Sequence, residues 1–202
     1  GITQQRAARS RRASERRGEV THSETYLAVA SLICKKLDWK LIEKLASQLE
    51  TVRHHQGRLF FIGLGGSAAN SSHAVNDFRK LCDFEAYTPV DNVAELTAIA
   101  NDEGWIGIFS KWLDESNLSS KDALFVLSVG GGTDTVSVPL KLAINYATAR
   151  GAKVFGIVGK KGGYTKEHGD CVIVIPAVSQ KHITPHTEAF QSVILHLLVS
   201  HP

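Results

Sequence analysis

The residues Arg58-Leu-Phe-Phe-Ile-Gly63, followed by Leu64-Gly-Gly-Ser-Ala68, are the clearest indication of fold class in this chain. A short apolar run that ends in glycine is typical of a strand buried on both faces of a parallel sheet. The small residues after it predict a tight turn, and the pattern from Ala68 to about Leu81 predicts a helix. Strand, glycine turn and helix in this order indicate an alternating α/β fold.

The same alternation continues to the end of the chain. A last helix is expected over roughly Thr187 to Ser200, and two amphipathic helices precede the first strand, within residues 23–55. We therefore expect one α/β domain over 23–202, whose core at 58–202 is a parallel sheet between two layers of helices. The further predicted strands are Phe84–Tyr87, Ala123–Ser128, Lys153–Val158 and Cys171–Ile175.

A basic N-terminal arm, residues 1–22, accounts for the formal net charge of +3. Its arginines outweigh a slightly acidic remainder. Arms of this kind are used to contact nucleic acid, acidic partners or membrane surfaces. This one lacks interleaved aromatic residues that could stack on bases, so we expect a solvated extension and no nucleic-acid partner.

Hydropathy and cysteine content indicate the compartment. No uninterrupted apolar run approaches the roughly 20 residues that cross a bilayer, so no membrane segment is predicted. Cys34, Cys82 and Cys171 are widely spaced and odd in number, which disfavours a disulfide framework or a zinc ribbon. We expect a cytoplasmic protein.

Two glycine-rich loops after predicted strands are candidate ligand sites. Gly63-Leu-Gly65-Gly66-Ser67 would let the backbone approach an anion at a helix N-terminus. This loop also fits a dinucleotide pattern, with Asp83 or Glu85 about 20 residues on, or a tight turn without a ligand. A dinucleotide fold does not require the second loop, Ser128-Val-Gly130-Gly131-Gly132-Thr133. Two such loops favour a phosphorylated sugar, with one loop cradling the phosphate and the other shaping the sugar pocket.

Four ionisable side chains on two predicted helices form a third candidate site. His73 and Asp77 are four residues apart and share a helix face. Glu188 and His196 are eight apart, within about 80° of each other around the last helix. If the two helices meet, the four side chains suit proton transfer beside a carbonyl, or a divalent metal such as zinc. Taken singly, His73 is more typical of a helix-surface or hydrogen-bonded core histidine, and His196, among apolar neighbours, of a core histidine.

Together these features resemble the sugar isomerase (SIS) domain family, and within it the sedoheptulose-7-phosphate isomerases. The resemblance runs from about Tyr26 to Leu198, and it rests on the order of the two loops, Asn101-Asp-Glu-Gly104, Gly159-Lys-Lys-Gly-Gly163 and the helix containing His196. It implies a three-layer α/β/α sandwich with a five-stranded parallel sheet, and a homotetramer with active sites between subunits. It also implies an intramolecular oxidoreductase that interconverts sedoheptulose 7-phosphate and D-glycero-D-manno-heptose 7-phosphate.

The resemblance also implies roles for individual residues. Asp77 stands at the position of the family's catalytic glutamate, and His196 at that of its partner histidine. The positions of His73, Asp77, Glu188 and His196 hold zinc in some members. Asp102 corresponds to a contact with a sugar hydroxyl. The residues expected to bind the substrate are Gly65, Gly66, Ser67, Asp102, Ser128, Gly130, Gly131, Gly132 and Thr133.

Departures from the family pattern indicate a divergent branch. Asp77 is one methylene shorter than glutamate, and a misplacement of about 1 Å can cost roughly a hundredfold in rate. Glu188 stands where glutamine is usual, so it is a further catalytic candidate that could supply the missing reach. Glycines replace hydroxyl residues in the second loop. A non-catalytic protein that binds a phosphosugar or a replication initiator is therefore the alternative hypothesis.

Overall fold

The structure, a computed structural model, describes residues 20–202, so the predicted arm lies almost wholly outside the described residues. Two helices come first, α1 (His22–Lys36) and α2 (Trp39–His54). Thr21 and Glu24 form a reciprocal capping box at the start of α1. The leading helices predicted within residues 23–55 are therefore present, beginning one residue early.

Five parallel strands form one sheet in the order β2-β1-β3-β4-β5. All residues of β1 and β3 are buried, because helices cover both faces of these central strands. β2 lies on one side of β1, and β3 and the later strands lie on the other side, so the order in which strands are added reverses between β1 and β3. Ligands in such folds bind beyond the carboxyl ends of the strands, at the point of this reversal. The strands are β1 (Leu59–Gly63), β2 (Ala86–Tyr87), β3 (Ala123–Ser128), β4 (Lys153–Val158) and β5 (Cys171–Val174).

Two apolar cores on opposite faces of the sheet complete the three-layer sandwich, which confirms the predicted fold. Alternate strand residues point to each side, so Phe61 packs towards α1, α2, α3 and α8, and Phe60 towards α4, α5 and α6. No helix within residues 20–202 has the length and apolar character to span a membrane. The remaining helices are α3 (Gly66–Cys82), α4 (Val93–Asp102), α5 (Ile108–Glu115), α6 (Val138–Ala149), α7 (Gly163–His168) and α8 (Ile183–Val199).

Helix α8 begins one turn earlier than predicted. Pro185 does not interrupt it, because the first turn of a helix has N–H groups without intrahelical partners. The extra turn places His186 in the protein interior, where its ring stacks on Tyr26 of α1 with centroids 4.1 Å apart. Burial, together with nearby His182, lowers the pKa of His186. The neutral imidazole therefore helps to dock α1.

Strand β2 is shorter than the predicted Phe84–Tyr87. Asp83 adopts a left-handed conformation at the end of α3, and Phe84 then turns into the core, where its ring lies 5.8 Å from that of Phe78. Only Ala86 and Tyr87 pair with β1. An edge strand has one neighbour, so packing of Phe84 decides where pairing begins.

At the amino edge of the sheet, an ion pair joins β1 to β3. The Asp122 carboxylate accepts hydrogen bonds from the Arg58 backbone at 2.9 Å and guanidinium at 2.8 Å, and from Ser119 N at 2.8 Å. Burial opposes ionisation of Asp122, but the hydrogen bonds from Arg58 and Ser119 outweigh it and lower its pKa. This carboxylate is fully engaged in holding the sheet.

Candidate active site

The two predicted loops lie side by side at the carboxyl edge of the sheet. Gly63, the last residue of β1, pairs with Leu127 of β3, so the β1 loop (residues 63–67) and the β3 loop (residues 128–137) leave the sheet at the same level. A Cβ atom added at Gly65 or at Gly130 would have no heavy atom within 4 Å. Open space for a ligand therefore adjoins both loops.

Ser67 lies at the start of α3 with its side chain buried between α3 and α8. Its hydroxyl hydrogen-bonds the Gln191 amide at 3.1 Å. The residue is 1% exposed. The Ser67 side chain thus positions the β1 loop from within, and Gly65 and Gly66 present the backbone.

Internal hydrogen bonds shape the β3 loop. The Ser128 hydroxyl accepts a hydrogen bond from Gly131 N at 3.0 Å. The Thr133 hydroxyl accepts one from Val136 N at 2.9 Å. The Thr133 hydroxyl also donates to the Val136 carbonyl at 3.3 Å. The Ser128 hydroxyl therefore keeps its proton for a ligand, whereas Thr133 would have to exchange this hydrogen bond for one to a ligand.

The first turn of α7 stabilises the same loop through backbone hydrogen bonds. Thr165 N donates to the Gly131 carbonyl, and Tyr164 N to the Gly132 carbonyl, both at 2.9 Å. A Cβ on Gly131 would lie 1.7 Å from the Gly162 carbonyl oxygen, so only glycine permits this approach. These hydrogen bonds and the close approach of Gly162 restrict the conformation of the β3 loop.

Helices α3 and α8 meet and bring three of the four predicted ionisable side chains together. His73 Nε2 lies 3.0 Å from Asp77 Oδ2 and 3.0 Å from His196 Nε2. His196 Nε2 lies 3.6 Å from Asp77 Oδ2. The imidazoles are more than half exposed, and the Asp77 side chain is 17% exposed. This group is called the HDH cluster below.

Glu188 lies apart from the HDH cluster. Eight residues of helix separate it from His196, a rise of about 12 Å. Its carboxylate lies instead against the β1 loop, with Oε2 2.5 Å from where a Cβ of Gly66 would be. Asn70 fixes the adjacent backbone by donating to the Glu188 carbonyl at 2.9 Å. The structure thus divides the predicted cluster into three side chains and a separate Glu188.

Asp102 is the last residue of α4. Its exposed carboxylate accepts a hydrogen bond from the neighbouring Asn101 amide at 2.7 Å. Since that contact is local, the predicted role of Asp102 as a sugar contact stays a prediction.

Comparison with known proteins agrees with this geometry. A family model described as an SIS domain matches residues 25–159. The chain belongs to the SIS domain family. A phosphoheptose isomerase from Nitratiruptor sp. is 33% identical over 152 residues, covering 72% of this chain and 76% of that protein. The family resemblance noted in the sequence is therefore confirmed.

Solved structures share the fold of this SIS domain. A phosphoheptose isomerase from Neisseria gonorrhoeae matches with a TM-score of 0.75 at 20% identity, covering 95% of this chain and 96% of that one. The sugar isomerase domain of an RpiR transcription factor from Sphaerobacter thermophilus matches with a TM-score of 0.60 at 15% identity, covering 86% and 83%. At these identities the likeness shows the fold alone.

The HDH cluster fits a divalent metal. Its ligand atoms all lie within 4.8 Å of one another. Two imidazoles and a carboxylate are ligands that zinc accepts, and three protein ligands leave a fourth position open. Nitrogens bound to one tetrahedral zinc lie roughly 3.3 Å apart, close to the 3.0 Å between His73 and His196. Glu188 is not among these ligands, since its carboxylate lies at Gly66.

The fold argues against the dinucleotide alternative. Asp83 ends α3, and the Glu85 carbonyl accepts a hydrogen bond from Leu59 N at the start of β1. Both acids therefore lie at the amino edge of the sheet, opposite the β1 loop. A ribose-binding acid must lie at the carboxyl edge, beside that loop.

The sequence did not predict a set of polar side-chain contacts between α3 and α8. Asn70 Nδ2 donates to Gln191 Oε1 at 2.9 Å, and Ser192 Oγ donates to Asn70 Oδ1 at 3.0 Å. Gln191 is fully buried. Helical spacing could have indicated these contacts. Asn70 follows Ser67 by three residues on α3, and Gln191 follows Glu188 by three residues on α8, so each pair shares a helix face.

Proposed function

We propose that this SIS domain is an aldose–ketose isomerase that converts sedoheptulose 7-phosphate into D-glycero-D-manno-heptose 7-phosphate. The HDH cluster carries the proposal, because it unites a carboxylate and two imidazoles on the helices that flank the glycine-rich loops. The name of the Nitratiruptor relative supports the substrate class. The β1 and β3 loops would bind the phosphorylated sugar through backbone N–H groups and the hydroxyls of Ser128 and Thr133.

The reaction needs two kinds of proton transfer. A base removes a proton from C1 of the ketose, forms an enediol and returns the proton to C2. A second group moves a proton between the oxygens on C1 and C2, so that atoms and charge balance. The Asp77 carboxylate is the base, and the His196 imidazole serves the oxygens because an imidazole can both donate and accept a proton.

The remaining members of the site support these steps. His73, 3.0 Å from Asp77, orients the carboxylate. His73, Asp77 and His196 would hold a divalent metal such as zinc, which when bound polarises a substrate oxygen as a Lewis acid. Glu188, at the β1 loop, is a second acid–base candidate for the sugar end of the site.

A second copy of the chain would complete the site. The HDH cluster is open to solvent, and exposed apolar side chains adjoin it: Leu81 one turn after Asp77, and Val193 and Leu197 beside His196. Proton transfer at carbon benefits from exclusion of water. We therefore propose a homo-oligomer, a tetramer by family resemblance, which light scattering after gel filtration would measure.

Turnover of sedoheptulose 7-phosphate tests the proposed reaction. We expect conversion by the full chain and loss of at least about a hundredfold in kcat for Asp77→Asn. Asp83→Asn, an exposed change just past the end of the same helix, is the matched control. Turnover that Asp77→Asn leaves unchanged would remove Asp77 from the mechanism. Zinc content and sensitivity to a chelator, measured on the same samples, test the metal.

A non-catalytic phosphosugar-binding protein is the second candidate. The inward-facing Ser67 hydroxyl and the position of Glu188 outside the HDH cluster favour it. The transcription-factor neighbour indicates that the fold also occurs outside enzymes. Binding of sedoheptulose 7-phosphate without conversion, or binding of a replication initiator, would put this candidate first.

A further inference from the structure

A lysine and an aspartate form an ion pair across the β3 loop. Asp134 belongs to the loop, and its carboxylate accepts a hydrogen bond from the Lys141 ammonium group in the first turn of α6. The hydrogen bond raises the pKa of Lys141 and lowers that of Asp134. The Asp134 side chain is 82% exposed and that of Lys141 only 28%. The Asp134 carboxylate thus projects into solvent, whereas the Lys141 side chain is largely covered by the rest of the protein.

A tyrosine holds Lys141 beside the loop independently of Asp134. The Lys141 ammonium lies 5.1 Å from the centroid of the Tyr164 ring. Tyr164 is itself fixed, because its hydroxyl donates to Asn145 Oδ1 at 2.6 Å and its backbone N donates to Gly132 O at 2.9 Å. The Lys141 ammonium group is therefore held next to the β3 loop by Tyr164.

The β3 loop has no basic residue of its own with which to neutralise a phosphate. Gly130, Gly131 and Gly132 provide no side chains, and the hydroxyls of Ser128 and Thr133 each accept a backbone N–H within the loop. Neutral donors of this kind do not balance a charge near −2. An ammonium group that already holds one anion at this loop supplies the missing charge.

We propose that Lys141 binds the phosphate group of the substrate and that Asp134 is the internal anion which the phosphate displaces. The inference rests on the proposed phosphosugar site. Exchange is inexpensive, because an exposed ion pair contributes little to stability. Removal of Lys141 should weaken phosphate binding, and removal of the Asp134 charge should strengthen it, because the phosphate no longer competes with a carboxylate.

Calorimetric titration of the full chain tests this, with sedoheptulose 7-phosphate and, separately, inorganic phosphate at one ionic strength. We expect Lys141→Gln to weaken binding of both about tenfold, and Asp134→Asn to tighten it about threefold. Lys153→Gln is the control. Lys153 pairs with Asp170 at 2.9 Å at the amino end of β4, so this variant loses the same charge at the opposite edge of the sheet. Its affinities should stay within twofold of the wild type.

The outcomes separate this inference from the proposed reaction. Sugar phosphate bound equally by Lys141→Gln and wild type would overturn the role of Lys141 and leave the isomerase proposal standing. Phosphate binding that depends on Lys141 without turnover would support the inference and overturn the isomerase. Equal losses in Lys141→Gln and Lys153→Gln would overturn it as a general charge effect. The tightening expected for Asp134→Asn cannot arise from misfolding, so it guards against that artefact.

Discussion

Asp122 and Asp77 are both carboxylates with basic partners, yet their surroundings are opposite. Asp122 is buried at the amino edge of the sheet, and hydrogen bonds from Arg58 and Ser119 engage both of its oxygens. Asp77 lies on α3 beside two imidazoles that are more than half exposed. Asp77 also has both oxygens engaged, since its Oδ1 accepts a hydrogen bond from Asn76 Nδ2 at 2.9 Å. The two carboxylates therefore differ in their partners: one held by a guanidinium and backbone N–H groups stabilises the fold, whereas one beside exposed imidazoles is accessible to a ligand.

The largest expected effect is on catalysis, from replacing His196. We expect His196→Phe to lower kcat for sedoheptulose 7-phosphate by about a hundredfold or more, because the acid–base group is lost. The melting temperature should hardly change, because the imidazole is 59% exposed. His54→Phe, on α2, is the control. A large loss of stability with normal kcat would instead show that the HDH cluster, like Asp122, stabilises the fold.

Replacing Asp122 should do the reverse. We expect Asp122→Asn to destabilise the fold by about 3 kcal/mol, because the Arg58 guanidinium loses its ionic partner. Activity per folded molecule should be unchanged. Urea unfolding measures the loss, with Asp114→Asn as the control, since the exposed Asp114–Arg150 pair is worth about 1 kcal/mol or less. Equal losses in the two variants would contradict the contrast.

The contrast between a residue that stabilises the fold and one that adjoins the ligand should also appear within the site, between two glycines. Gly131→Ala should cost about 2 kcal/mol and weaken phosphate binding, because its Cβ meets the Gly162 carbonyl oxygen at 1.7 Å. Gly65→Ala should cost only about 1 kcal/mol, from its positive φ, because no atom lies within 4 Å. Its main effect should be a raised KM, since the methyl group enters the ligand space. Chemical denaturation and steady-state kinetics on both variants measure these effects.

The smallest expected effect is a dependence on acid pH. The pKa of Asp122 is lowered in the folded state, so its ionisation adds stability above its ordinary pKa, and this contribution is lost as the pH falls below about 4. The stability difference between wild type and Asp122→Asn should therefore shrink between pH 5 and pH 3. Urea unfolding from pH 5 to pH 3 measures this difference. If it stayed constant, the ionised Asp122 carboxylate would not be its source.

Much of the site could be predicted because it depends on local spacing. His73 and Asp77 are one helical turn apart, and both glycine loops follow buried strands, so their placement needed only the period of each element. Glu188 and His196 also share a helix, but the Glu188 carboxylate lies against Gly66 of the β1 loop and not beside His196. The pairing of Asn70 with Gln191 joins residues far apart in sequence, and periodicity carries no information about such contacts.

By itself, the sequence determined the alternation of buried strands and amphipathic helices, and hence the three-layer α/β sandwich. It did so because burial imposes a periodicity that residues display one after another. The sequence did not predict that β1 and β3 are neighbours, that α3 meets α8, or that α7 contacts the β3 loop, and these contacts follow from the tertiary structure. These contacts join distant parts of the chain, and their geometry depends on how whole elements pack.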